Sequence, residues 1–255
     1  MFPGRVPVIA TDDPGNKFVS TWLVPTGDKT LTLPFVDDSN TINFTIDWGD
    51  GNLDVITAHD DAVLAHTYGS GGTYTIIMDG IISGFKFNDG GDKAQITNIS
   101  NWGSFNISTD RVFMGCTALD VTATDTPIIS STSLNRLFYN NQALTSIGNA
   151  AGWDVSNVTD MTHAFNSTVL FNQDITSWDV SEVTLFGAMF HTSAMNQNIS
   201  VWNVAKATNM SYMFTNNTAF NQAIGVWDTG EVTTMNLMFY GASAFNQDIS
   251  NFDIA

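Results

Sequence analysis

FNQDITSWDV (171–180), MNQNISVWNV (195–204), FNQAIGVWDT (220–229) and FNQDISNFDI (245–254) are four versions of one ten-residue phrase. Their tryptophan slot extends upstream, so that Trp153, Trp178, Trp202, Trp227 and then Phe252 follow one another at intervals of 25, 24, 25 and 25. A second column runs Phe113, Phe138, Phe165, Phe190, Phe214, Phe239, and a third runs Leu119, Leu144, Phe171, Met195, Phe220, Phe245. All three keep step, apart from a two-residue insertion near 148–152. A fixed period of this length marks a repeat architecture, in which each unit buries its apolar face only against its neighbours.

Within a unit two spacings appear. Met161, Ala164 and Phe165 stand at i, i+3 and i+4, as do Met210, Met213, Phe214 and Met235, Met238, Phe239. This predicts about one helical turn with a single apolar face. Trp178 and Val180 alternate with period two and predict a short strand. The expectation is a solenoid of ~25-residue coils with short parallel strands and short helical turns, over 96–255. Residues 1–95 lack the period. They read as short alternating strands, Leu31–Leu33, Ile42–Ile46 and Tyr74–Met78, with turn signals at Pro25–Asp28, Asp37–Asn40, Gly49–Gly51 and Gly69–Gly72. That pattern predicts an immunoglobulin-like β-sandwich. The fold class expected is therefore mainly β, in two parts.

Only 13% of the 255 residues are charged, and 8 basic against 25 acidic residues give a net charge of −17. After Arg136 the sole basic residue is Lys206. Nothing here could neutralise a phosphate backbone, so nucleic acid is excluded as a partner. An anionic membrane surface is disfavoured for the same reason. No apolar run approaches the ~18 residues of a membrane span. Near the start, Pro3, Pro7 and the pair Asp12-Asp13 interrupt any signal-like apolar stretch. The expectation is an extracellular or virion surface, with no signal peptide, lipobox or membrane span in this chain: either a leader has been removed, or the exterior is reached without the secretory route, as by a virion component released on lysis.

The residues support a family resemblance. DWGDG at 47–51, HTY at 66–68 and GTYTI at 72–76 resemble the PKD-like fold, an immunoglobulin-like sandwich of extracellular proteins. FNQDITSWDVSEVT and VWNVAKATNMSYMF resemble the leucine-rich repeats of BspA-like surface proteins. Three further segments, Gly91-Asp92-Lys93, Asn101-Trp102-Gly103 and Phe113-Met114-Gly115-Cys116, resemble features of the same family. The likeness runs from about Phe18 to the C-terminus. It implies surface exposure and adhesion or recognition of a protein or glycan, with no chemistry. Members occur on bacterial surfaces and in phage genomes, so a structural virion component, a capsid decoration or tail appendage, is the alternative expectation.

Candidate sites weigh toward structure. The Trp and Phe columns fill the interior in this reading. Asn172, Asn196, Asn221 and Asn246, each followed by Gln, are expected to satisfy backbone groups at coil corners rather than to hold sugars. Asp47, Trp48, Gly49, Asp50 and Gly51 read as a hairpin turn and not as a calcium loop, because Asp47, Asp50 and Asp54 lack a full oxygen-ligand spacing. Asp154, Asp179, Asn203, Asp228 and Asp253 recur just after the tryptophan slot and form the candidate binding stripe. Stacked side by side, these carboxylates do not face each other across a cleft as glycoside hydrolysis requires. His59, His66, His163 and His191 share no metal-ligand spacing, and the single Cys116 has no partner thiol. The expectation is a non-enzymatic protein without cofactor or metal. The last coil is expected to be covered by an interface, since an open coil exposes an edge.

Overall fold

The computed structural model describes residues 14–253. The expectations on Pro3, Pro7, Asp12 and Asp13 lie outside the described residues. The chain is mainly β with almost no helix. Among the described residues, Pro14–Asn16, Ala62–Leu64 and Ala150–Gly152 are the 3-10 turns, and no helix is long and apolar enough to cross a membrane.

The strands are β1 (Phe18–Val24), β2 (Thr30–Thr32), β3 (Asn43–Asp47), β4 (Leu53–Ile56), β5 (Ala65–Thr67), β6 (Gly72–Ile81), β7 (Ile96–Asn101), β8 (Asn106–Ile107), β9 (Asp120–Val121) and β10 (Ile128–Ile129). One six-stranded sheet has the order β4-β3-β6-β1-β7-β9, and β2 pairs separately with β5. Alternation sets its buried face: Phe18, Ser20, Trp22 and Val24 point inward from β1, and Ile76 and Met78 from β6. Buried Ser20 accepts the Trp22 indole N–H at 2.9 Å, so neither polar group is stranded. The sheet runs through position 95. β1 pairs antiparallel with β6 on one side and with β7 on the other, and β7 continues in parallel to β9. The join is also polar. Half-buried Asp38 accepts from Ser83, from Ser108 of the first repeat and from Asn40. Burial pushes that carboxyl up, but these donors, Ser108 foremost, outweigh it and hold it at about 2.

Beyond β9 the repeats lie alongside one another. Parallel bridges link Ser133, Asp160, Leu185, Asn209 and Thr234 in turn. The phenylalanine column forms a continuous stack. Centroid distances are 5.6 Å from Phe113 to Phe138, 5.7 Å to Phe165, 5.9 Å to Phe190, 5.8 Å to Phe214 and 5.8 Å to Phe239. Phe113 in turn stacks on Phe105, and Phe105 on Phe18 of β1, so one aromatic spine crosses from sheet to repeats. The tryptophans are buried beside it. Trp178, Trp202 and Trp227 each donate the indole N–H to a carbonyl of the preceding unit, Ala150, Ile175 and Ile199.

Two local expectations are corrected. The Trp-x-Val segments are not strands; the inter-repeat bridges fall instead at the Thr-Asp position, 159–160 and its equivalents. The Met-x-x-Ala/Met-Phe segments are not helical. They are chains of i→i+3 turns, Ala164 N to Met161 O and Asn166 N to His163 O, with left-handed φ at His163 (58°) and Ser167 (61°). The apolar face survives, since Met161, Ala164 and Phe165 are all buried. The reason lies between units. The N–H groups of Met161, His163, Phe165 and Ser167 all point forward and bond Leu185, Gly187, Met189 and His191 O at 2.8–3.0 Å. The carbonyls of the same peptide groups, 160, 162, 164 and 166, point back and accept from 134, 136, 138 and 140. An α-helix would aim those groups along its own axis. Here alternate peptides lie along the stack, giving four columns of aligned amides that repeat in every later unit. At the far end the N–H groups of Met235, Leu237, Phe239 and Gly241 have no bonded partner among the described residues. They border an apolar depression that includes Met238 and Phe252.

Candidate recognition face

The turn chain puts one side chain per unit on a common face at the first left-handed position. Arg136, His163, Ala188, Tyr212 and Leu237 occupy it, with φ of 54°, 58°, 52°, 61° and 55°. Such backbone is costly for residues other than glycine, and the inter-unit ladder holds it. Inward positions repeat the same residue types from unit to unit, whereas this column changes at every step: Tyr212 and Leu237 are exposed, Arg136 and His163 half-buried, and Ala188 buried. Small residues in the middle, Gly187 and Ala188, leave a groove. Its walls and floor include Tyr139, His163, Asn166, His191, Ser211 and Tyr212.

The groove carries no formal charge. None of the eleven residues lining it is Asp, Glu, Lys or Arg, in a chain with 25 acidic residues. Ser167 donates its hydroxyl to Asn166 Oδ1 at 2.8 Å, which turns the amide so that Nδ2 faces His163 Nδ1 at 2.9 Å. An amide nitrogen only donates, so Nδ1 accepts and the ring proton sits on Nε2. The Tyr139 ring meets the His163 ring edge-on at 6.0 Å. Burial, helped by Arg136 and His191, holds the His163 imidazole down to about 4, with Asp160 opposing weakly. Burial lowers His191 as well. Both rings are neutral at pH 7.

A pH prediction follows. As pH falls from 6.5 to about 4, the unfolded chain takes up a proton that folded His163 refuses, so stability declines across that window. The expected result is an NMR titration midpoint near 4 for His163, and a flatter stability profile in His163→Gln. A midpoint near 6.5 would contradict the burial of the ring.

The residues singled out from sequence lie elsewhere. Asp154, Asp179, Asn203 and Asp228 are exposed, and each closes a two-residue turn by accepting from the backbone of Ser156, Ser181, Ala205 and Gly230. Hydrogen bonds from Ser156 and Ser181 lower the Asp154 and Asp179 carboxyls. Asp253 is exposed at the end of the series. The Asn column makes its own ladder: Asn172, Asn196 and Asn221 Oδ1 accept from the backbone N–H of Asn196, Asn221 and Asn246 at 2.8, 2.9 and 3.1 Å. Trp153, Trp178, Trp202, Trp227, Phe165, Phe190 and Phe214 are buried; Phe239, in the last full unit, is partly so. In the DWGDG segment, Gly49 and Gly51 have φ of 77° and 94° between β3 and β4, and Asp47 accepts from Gly49 N. Asp50 bonds His66 at 2.8 Å, Trp48 donates to Asp54 at 2.8 Å, and the Trp48 and His66 rings stack at 4.6 Å. Among the described residues no group of three or more His, Cys, Asp or Glu could hold a metal ion. Cys116 is buried, which pushes its thiol up and away from reactivity. The groove residues carried no sequence signal, because they occupy the positions where the repeat is least regular.

A family model described as "Mycoplasma protein of unknown function, DUF285" matches residues 107–195 and 132–252, which together take in more than half of the chain and the whole groove. The chain belongs to the DUF285 family. No curated protein and no solved structure matches it. The DUF285 matches begin at the end of β8 and span the later repeats, so the family pattern is the repeat itself. The six-stranded sheet before it lies almost wholly outside the match.

Proposed function

We propose that this DUF285 chain is a non-enzymatic recognition protein of an exterior surface, on a cell or a virus particle, and that the groove face makes the contact. In this reading residues 1–95 are a PKD-like, immunoglobulin-type sandwich. Residues 96–255 are a BspA-like solenoid of leucine-rich-repeat type, and the partner is a protein or glycan. The DWGDG hairpin with its Trp48, His66 and Asp50 network supports the first assignment. The 24–27-residue bridge spacing and the DUF285 match support the second.

The observation that carries the functional reading is the contrast within each repeat. Buried columns and ladder-bonding amides stay the same, while the face at Arg136, His163, Ala188, Tyr212 and Leu237 varies and is held in a costly conformation. Variable side chains on a rigid scaffold suit recognition. Mass spectrometry of purified virus particles and of cell-surface fractions from the source tests the location. Recovery in either supports an exterior role, and recovery only in the cytosolic fraction removes it.

A further inference from the structure

Resting on that reading, we propose that the groove between Tyr139 and Tyr212 is a subsite for a short, neutral oligosaccharide. Three features converge. The first is shape: Gly187 and Ala188 sink the floor between His163 on one side and Tyr212 on the other. The two tyrosines lie three units apart, and at about 4.8 Å per unit the trough is roughly 14 Å long, a length suited to a few linked sugar rings. The second is the chemistry of the walls. Sugar rings present apolar C–H faces and hydroxyl edges. Tyrosine supplies a flat apolar body with a polar tip for the faces, and neutral amide, hydroxyl and imidazole groups supply paired donors and acceptors for the edges. His163 offers Nε2–H to the groove because its Nδ1 is committed to Asn166. The third is charge: none of the side chains lining the trough is charged, and Arg136, a cation on the same face, lies outside that lining. A site for an acidic sugar or a phosphate would need a cation there, and the net charge of −17 repels such ligands at long range. The Asn-Gln and Trp columns, the other carbohydrate-like features of the chain, are spent on the ladder and the core.

The experiment is a printed array of short neutral oligosaccharides (gluco, manno, galacto and N-acetylglucosamine series) beside sialylated and uronic acid glycans, probed with the labelled full chain. The expected result is retention on one neutral series, weakened at least about tenfold by Tyr212→Ala and by Gly187→Leu. Tyr212 is 43% exposed, so its truncation spares the core. A Cβ at Gly187 meets its nearest neighbours at ordinary distances of 3.6–3.7 Å, so the substitution starts without a backbone clash, and its melt reports whether the rest of the leucine is accommodated. Val226→Ala, on an exposed residue outside the groove, serves as control and leaves binding unchanged. Thermal melts of all variants keep folding separate from binding. Three results would each overturn the proposal: no neutral glycan retained, retention confined to acidic glycans, or retention indifferent to both groove variants. If glycans fail but a protein from the cell surface binds and Tyr212→Ala abolishes it, the carbohydrate inference falls while the recognition reading stands.

Discussion

Trp202→Ala is expected to destabilise the chain by about 3–5 kcal/mol, the cost of deleting a large buried aromatic. The indole is 4% exposed. It packs against Phe186 and Phe190 at 6.2 and 6.3 Å, and its N–H reaches back to the Ile175 carbonyl at 3.3 Å. Truncation therefore opens a cavity and cuts a bond between neighbouring units in one step. Because each repeat is held only by its neighbours, the damage is expected to reach both interfaces of that unit. Urea denaturation with circular dichroism reads the loss. Trp202→Phe should recover more than half of it, as Phe252 stands in the same slot of the next unit. A loss under about 1 kcal/mol for Trp202→Ala would mean that the column is not the core of the stack.

Gly80→Ala is expected to cost about 2–6 kcal/mol, combining backbone strain with overpacking. Gly80 sits in β6 opposite Phe44 of β3 with φ of 137°. A Cβ there would lie 2.3 Å from the Asn43 carbonyl oxygen and 2.8 Å from Phe44 Cα. Both obstacles are backbone, which cannot rotate aside. Gly69→Ala is the matched control, since nothing lies within 4 Å of its Cβ and its φ is not in the left-handed range. The control should change stability by less than about 1 kcal/mol, in either direction. Equal melting temperatures for the two variants would show that β3 and β6 are not packed in this register.

The repeat was legible because a column such as Trp153, Trp178, Trp202 and Trp227 has only one physical use. Large aromatics at a constant interval must share an interior. The strands at 42–46 and 74–78 were legible too, since period-two alternation leaves few other conformations. The Met161–Phe165 segment misled, and the cause is specific. An apolar face at i, i+3 and i+4 suits a helical turn, and it equally suits consecutive i→i+3 turns whose alternate amides bond the next unit. The decisive residues, His163, Ala188, Tyr212 and Leu237, are left-handed without being Gly or Asn, so nothing in their identity announces the geometry. Lateral bonding between units imposes it. The groove was hidden for a related reason: Tyr139 and His191 stand just after the Phe column and His163 and Tyr212 at the left-handed slot, two positions whose residue type changes from unit to unit, so no shared identity marks them. The pairing of β1 with β7 was equally invisible, because partners such as Trp22 and Ile96 or Val19 and Asn101, 74 to 82 residues apart, leave no local mark.

The aligned amides give the stack a grammar. From the unit at Met161 to that at Met210, each unit receives hydrogen bonds on its carbonyl side and issues them on its N–H side, in the same four places and the same sense. Any unit can thus follow any other, and none can be inserted back to front. Lengthening such a protein needs only the duplication of a block of codons, with no new contact to invent. The side chain at the left-handed slot is then free to drift. The aligned amides thus let a lineage count its units up or down while rewriting, one letter per unit, what the face presents.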